Sequence, residues 1–201
     1  MEAIDAYKTV SKASEGFFKD RGSKFSAYLF PVKSEEEVTI YLEEVKIAHP
    51  KARHHCYAYR ISPDGSLFRA NDDGEPSGSA GKPILNALLS AELTDCFVVV
   101  VRYFGGTLLG VSGLINAYKT AAEEAIATSK IIECTVDQTF EAVYGFDDMH
   151  GVMRIMKDLD LNIIGQDYKE NNIITFSARL SLESAILEAF EELYRVELKK
   201  I

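Results

Sequence analysis

Cys96-Phe97-Val98-Val99-Val100-Val101 is an unbroken apolar run with a glycine-rich segment on either side. The run reads as a buried strand. Before it stands Asn71-Asp72-Asp73-Gly74-Glu75-Pro76-Ser77-Gly78-Ser79-Ala80-Gly81-Lys82-Pro83. After it stands Arg102-Tyr103-Phe104-Gly105-Gly106-Thr107-Leu108-Leu109-Gly110-Val111-Ser112-Gly113. Each loop leads into an apolar, helix-like segment, Lys82 to Ala91 and Gly113 to Ser129. Glycine lets backbone amides come close to a ligand, and a helix start presents unpaired N–H groups. Two such loops at neighbouring ends of one sheet would make a polar pocket, and the functional site is expected there.

The rest of the first 136 residues supplies partners for that strand. Met1 to Gly22 is polar and weakly patterned, an arm or a first strand. Lys24 to Val32 reads as a strand. Ser34-Glu35-Glu36-Glu37 fits a capping box, with Val38, Tyr41, Leu42 and Val45 following at helical spacing. His55 to Ile61 alternates, turns at Ser62 to Ser66, and returns as Leu67 to Ala70. Ile131 to Val136 is a last strand.

From Asp137 the pattern becomes β-α-β-β-α-β, a ferredoxin-like order. Strands are expected at Thr139–Tyr144, Leu161–Tyr168, Ile173–Leu180 and Val196–Ile201, with a turn at Glu170-Asn171-Asn172. Asp147 or Asp148 is expected to cap the first helix and Ser181 the second. This part carries 13 acids against 7 bases, so most of the chain's net charge of −9 lies here. Such a balance disfavours indiscriminate attraction to nucleic acid and makes residues 1–136 the better candidate for phosphate contact. No apolar run approaches the ~20 residues of a bilayer helix, and Met1 to Lys8 lacks the pattern of a signal peptide. The unclustered Cys56, Cys96 and Cys134 read as reduced thiols of a cytoplasmic protein.

Asp72, Asp73 and Glu75 stand within four positions. With His54 and His55 they form a polar cluster that reads either as a divalent-cation site or as a solvated acidic turn. Gly78-Ser79-Ala80-Gly81-Lys82 fails the phosphate-loop pattern, since the first glycine falls at Pro76 and Pro83 replaces the required Ser or Thr. Anion binding by its amides with Ser77, Ser79 and Lys82 stands beside a purely structural strand-to-helix turn. The second loop fails G-x-G-x-x-G because Thr107 takes the middle glycine position. Arg102 and Tyr103 fit a phosphate and a base, or else a structural salt bridge and a half-buried ring. In His54-His55-Cys56, neighbours on a strand face opposite ways and no partner stands at ligand spacing, so packing roles are expected. His55, Tyr57 and Tyr59 share a face that is either sheet core or a stacking platform.

Four stretches closely resemble the bacterial two-domain members of the IMPACT/YigZ family. They are Gly22–Phe25, His54–Arg60, Asn71–Leu85 and Val98–Gly106. The chain departs from the family pattern at Ser112, where a glycine is usual, and at Asn116, where a cation is common. The resemblance implies an α+β protein of two domains. Residues 1–136 would have a ribosomal protein S5 domain 2-like fold. Residues 137–201 would form a ferredoxin-like (βαββαβ) domain like those of translocating elongation factors. Eukaryotic relatives regulate translation initiation by competing for the activator of a starvation-responsive kinase, a pathway that bacteria lack.

These readings lead to a cytoplasmic, non-enzymatic, translation-associated binding protein with no cofactor and no membrane contact. It would meet RNA, the ribosome or a translation factor through the cleft between the two loops. The anion- or nucleic-acid-binding residues would be Ser77, Gly78, Ser79, Gly81, Lys82, Arg102, Tyr103, Gly105 and Gly106. Two rivals stay open. One is a metal-dependent enzyme acting on a phosphate-containing substrate, with Asp72, Asp73 and Glu75 on the metal and His54 or His55 as acid or base. The other is a protein–protein adaptor that docks a basic partner on the acidic C-terminal domain.

Overall fold

A computed structural model describes residues 5–168 and 172–201. They divide into two units, Tyr7–Cys134 and Thr135–Ile201, with Asp5 and Ala6 grouped with the second. The first unit runs β1 (Ala6–Val10), β2 (Ser14–Asp20), β3 (Ser23–Pro31), α1 (Glu35–Ala48), β4 (His54–Ile61), β5 (Leu67–Asn71), α2 (Gly81–Ser90), β6 (Cys96–Tyr103), α3 (Gly110–Ala127) and β7 (Ile131–Thr135). Its main sheet has the order β2-β3-β6-β4-β5, with every neighbouring pair antiparallel. The weakly patterned N-terminal stretch therefore holds two strands. β2 joins this sheet, whereas β1 pairs with β7 in a separate ribbon.

β6 is apolar from Cys96 to Val101 because both of its faces are covered there. Val98 and Val100 pack with Phe25, Leu29, Cys56 and Ala58 in the core that α2 and α3 share. Phe97, Val99 and Val101 pack with Tyr59, Ile61, Val38 and Val45 beneath α1. Tyr57 and Tyr59 belong to that second core, which resolves their face as packing. α1 starts at the predicted cap: Ser34 Oγ accepts from the Glu37 amide at 3.3 Å. The return arm lands one residue earlier than a capping box requires, where Glu37 Oε2 accepts from the Lys33 amide at 2.6 Å.

The second unit runs β8 (Asp137–Tyr144), α4 (Met149–Asp158), β9 (Asn162–Tyr168), β10 (Asn172–Arg179), α5 (Glu183–Glu191) and β11 (Glu197–Lys200). The sheet order β11-β8-β10-β9, all antiparallel, is ferredoxin-like. Phe176 stacks between Phe140 and Phe190 in its core, at 5.5 and 5.9 Å between centroids. The expected side-chain caps do not form. Short 3-10 turns, Phe146–Asp148 and Leu180–Leu182, lead into α4 and α5, and neither Asp148 nor Leu182 at the cap position bonds through its side chain. Ser181 lies within the second turn, and its amide donates to Asp5 Oδ1. Of the predicted turn before β10, Glu170 and Asn171 lie outside the described residues.

Candidate functional site

The first loop turns its amides inward, onto its own acid. Asp72 Oδ1 accepts from the amides of Ala80 and Gly81 at 2.9 and 2.8 Å, and Oδ2 accepts from Gly78 at 2.8 Å. A carboxylate near a helix start is well placed for this, because the first amides of a helix lack intrahelical acceptors. Burial pushes the Asp72 carboxyl up, but the three amides together outweigh it and hold it below its ordinary range. Ser79 is buried, and its hydroxyl and amide both bond Pro76 O. The expectation of a free anion nest at Ser77, Gly78, Ser79, Gly81 and Lys82 is thus corrected: the principal amide donors already hold an internal anion. Ser77 and Lys82 stay exposed.

The other acids also have separate tasks. Asp73 Oδ2 accepts from the His55 amide at 2.6 Å, and the Asp73 carbonyl lies 2.8 Å from His54 Nδ1. A carbonyl only accepts, so His54 carries its proton on Nδ1. Glu75 is buried and accepts from Arg102 Nη1 at 2.6 Å and from the Tyr118 hydroxyl at 2.8 Å. Burial, reinforced by the charges of Glu75, Asp73 and Asp72, pushes the Cys56 thiol up, and this protonated thiol donates to Asp72 O. The metal reading of Asp72, Asp73, Glu75, His54 and His55 is therefore corrected. Among the described residues, no three His, Cys, Asp or Glu side chains converge to hold an ion.

This wiring predicts acid sensitivity. Burial holds His55 below its ordinary value of 6.5. Stability is then complete above that value and declines as pH falls below it, because only the unfolded chain takes up the proton. Asp72 adds a second decline below its ordinary 3.8. Asp72→Ala should cost about 1–2 kcal/mol at neutral pH, the usual effect of losing a helix cap. Urea midpoints measured from pH 8 to pH 3 check both. An Asp72→Ala variant with the parent's profile below pH 4 would refute the assignment.

The second loop is also built inward. Gly105 packs against the Gly22–Ser23 backbone, and its amide donates to Ser23 Oγ at 3.1 Å. Arg102 and Tyr103 point to opposite faces of β6. Arg102 reaches Glu75, whereas Tyr103 OH lies 2.9 Å from His49 Nδ1, just past the end of α1. His49 Nε2 in turn meets Tyr28 OH at 2.7 Å. Arg102 as a free phosphate ligand is corrected to one half of a buried ion pair, with its side chain 8% exposed.

A cleft of about 670 Å³ opens at the end of the sheet. It is lined by Lys51, Arg53, His54, Arg102, Tyr103, Phe104 and Leu108. None of Ser77–Lys82 lines it. Antiparallel pairing sets His54 beside Arg102, so the chain entering β4 brings Arg53 and Lys51 to the end of β6. Both are exposed, and neither has an ion-pair partner among the described residues. Phe104 is 57% exposed and Leu108 81%. Sequence reading missed Lys51, Arg53, Phe104 and Leu108 as site residues. The available signal was Lys51-Ala52-Arg53-His54-His55, a basic run entering a strand.

Comparison with known proteins sets this site in a family. The model of the Impact N-terminal domain matches residues 21–126. IMPACT family member YvyE of Bacillus subtilis is 39% identical over 130 residues, 65% of this chain and 60% of that protein. An IMPACT family member of Haemophilus influenzae is 34% identical over 174 residues, 84% of this chain and 81% of that one. A crystal structure described as that of a hypothetical protein superposes over 99% of this chain and 98% of its own, with 27% identity and a TM-score of 0.71. That match extends the two-domain α+β architecture over the whole chain.

Proposed function

The chain belongs to the IMPACT family, and from that premise we propose that it is a translation-associated regulatory protein that binds an RNA-bearing surface through the Lys51–Phe104 cleft. The observation that carries the reading is the unspent chemistry of the cleft. Lys51 and Arg53 supply positive charge that has no ion-pair partner among the described residues, beside an exposed Phe104 ring. Cations meet phosphate and a ring face meets a base, which is the pairing that nucleic-acid surfaces require. In a chain of net charge −9 such a patch confines attraction to one place. The translational setting follows from the family resemblance.

The test is a salt titration of the full chain on ribosomes and on structured RNA. Arg53→Ala is expected to weaken binding and to reduce the slope of log K against log salt by about 0.7–0.9, one phosphate contact. Lys51→Ala should do the same. Affinity indifferent to both substitutions would remove the cleft from the function. Arg102→Ala is unsuitable here, because it breaks the buried pair with Glu75.

A further inference from the structure

We propose that the cleft continues across β3 and β2 as one path for a single-stranded nucleic acid, with Lys19, Lys24 and Arg53 on its phosphates and Phe17 and Phe104 under its bases. This rests on the reading above and specifies the ligand of the same cleft. A second opening, about 370 Å³, is lined by Phe17, Gly22, Lys24, Ser26, Tyr103 and Phe104. It shares Tyr103 and Phe104 with the first, so those two residues stand between adjoining clefts.

Strand register explains the arrangement. Lys19 pairs with Lys24, Lys24 pairs with Tyr103, and Phe17 pairs with Ser26. Residues directly opposite in an antiparallel sheet share a face. Lys19, Lys24 and Tyr103 therefore form one row across three strands, and the chain entering β4 at Arg53 extends it. α1 covers this face only as far as His49, which holds Tyr103. Past that point the sheet is open: Phe17 is 50% exposed, and Lys19 Nζ stands 5.2 Å from the centre of its ring. Asp20 alternates to the opposite face, so the row itself carries no acid.

Cations that alternate with accessible rings suit a strand whose bases are unpaired. A duplex keeps its base faces stacked inside and offers such rings nothing. The ligand class is accordingly single-stranded RNA or DNA, read by backbone charge and stacking with little sequence preference.

Fluorescence anisotropy tests this on the full chain, with a labelled oligouridylate of about 12 nucleotides and a duplex RNA of equal length. The single strand is expected to bind about ten-fold more tightly than the duplex. Phe17→Ala and Lys24→Ala should each weaken it by about five- to ten-fold, and Lys24→Ala should lower the salt slope by about 0.7. Lys24 is exposed, so its substitution leaves the fold intact; circular dichroism confirms this for Phe17→Ala. Preference for the duplex would overturn the proposal. So would unchanged binding by both second-cleft variants while Arg53→Ala weakens it, and the first cleft would then stand alone. Binding to ribosomes without binding to the oligonucleotide would also overturn the single-strand path and leave the broader reading in place.

Discussion

Replacing Glu75 with alanine is expected to destabilise the N-terminal unit by about 3–5 kcal/mol and to lower its thermal midpoint by roughly 10–20 °C. The side chains of Glu75 and Arg102 are 4% and 8% exposed. Removing the carboxylate leaves a guanidinium buried without its counter-charge. It also strands the Tyr118 hydroxyl, whose acceptor is Glu75. Among the described residues Arg102 Nε already lacks a hydrogen-bond partner, so losing Glu75 leaves the guanidinium still less satisfied. Glu75→Gln keeps an acceptor for Tyr118 and should cost less. Pairing it with Arg102→Met removes both charges and should recover much of the loss, because an apolar replacement of a buried pair is often tolerated. Calorimetry on the parent, Glu75→Gln, Arg102→Met and the double variant gives the coupling energy directly. A midpoint shift of only about 3 °C or less for Glu75→Ala would mean that the pair is solvated, and this account would fail.

Gly105→Ala should cost about 3 kcal/mol, the upper end for inserting a methyl group into a packed site. A Cβ built there falls 1.9 Å from Gly22 C and 2.2 Å from Ser23 N. These are backbone atoms of the β2–β3 turn and cannot rotate aside. Gly22 itself has φ +80, which favours glycine for a second reason. Gly106 is the control. Its φ is +90, but a Cβ there meets nothing within 4 Å. Gly106→Ala should therefore cost only the conformational term, about 1 kcal/mol. Equal losses at the two positions in urea melts would show that backbone angle, and not close approach, makes Gly105 necessary.

These two sites show where reading the sequence succeeds and where it stops. The apolar run of β6, the alternation of β4, the cap at Ser34 and the βαββαβ order were all legible. The loops were also legible as polar and glycine-rich. Their internal use was not legible. Glycines that admit a ligand and glycines that admit another backbone look the same along a chain. Asp72 resembled a metal ligand because its acceptors are visible in sequence, whereas the three amides it holds are not. The basic run through Lys51 and Arg53 drew no notice because its neighbour across the sheet, Phe104, lies 51 positions from Arg53.

Sequence by itself determined the periodicities: which strands are covered on both faces, which segments are helical, and that two units follow one another. Those depend on spacing along the chain, which is local. Only the tertiary structure decided which charges are spent and which are free. Glu75 finds Arg102 27 positions away and Tyr118 43 away. In a buried site a charge must take whatever partner the fold brings, whereas Arg53 and Lys51 stay in water at the sheet end with no ion-pair partner among the described residues.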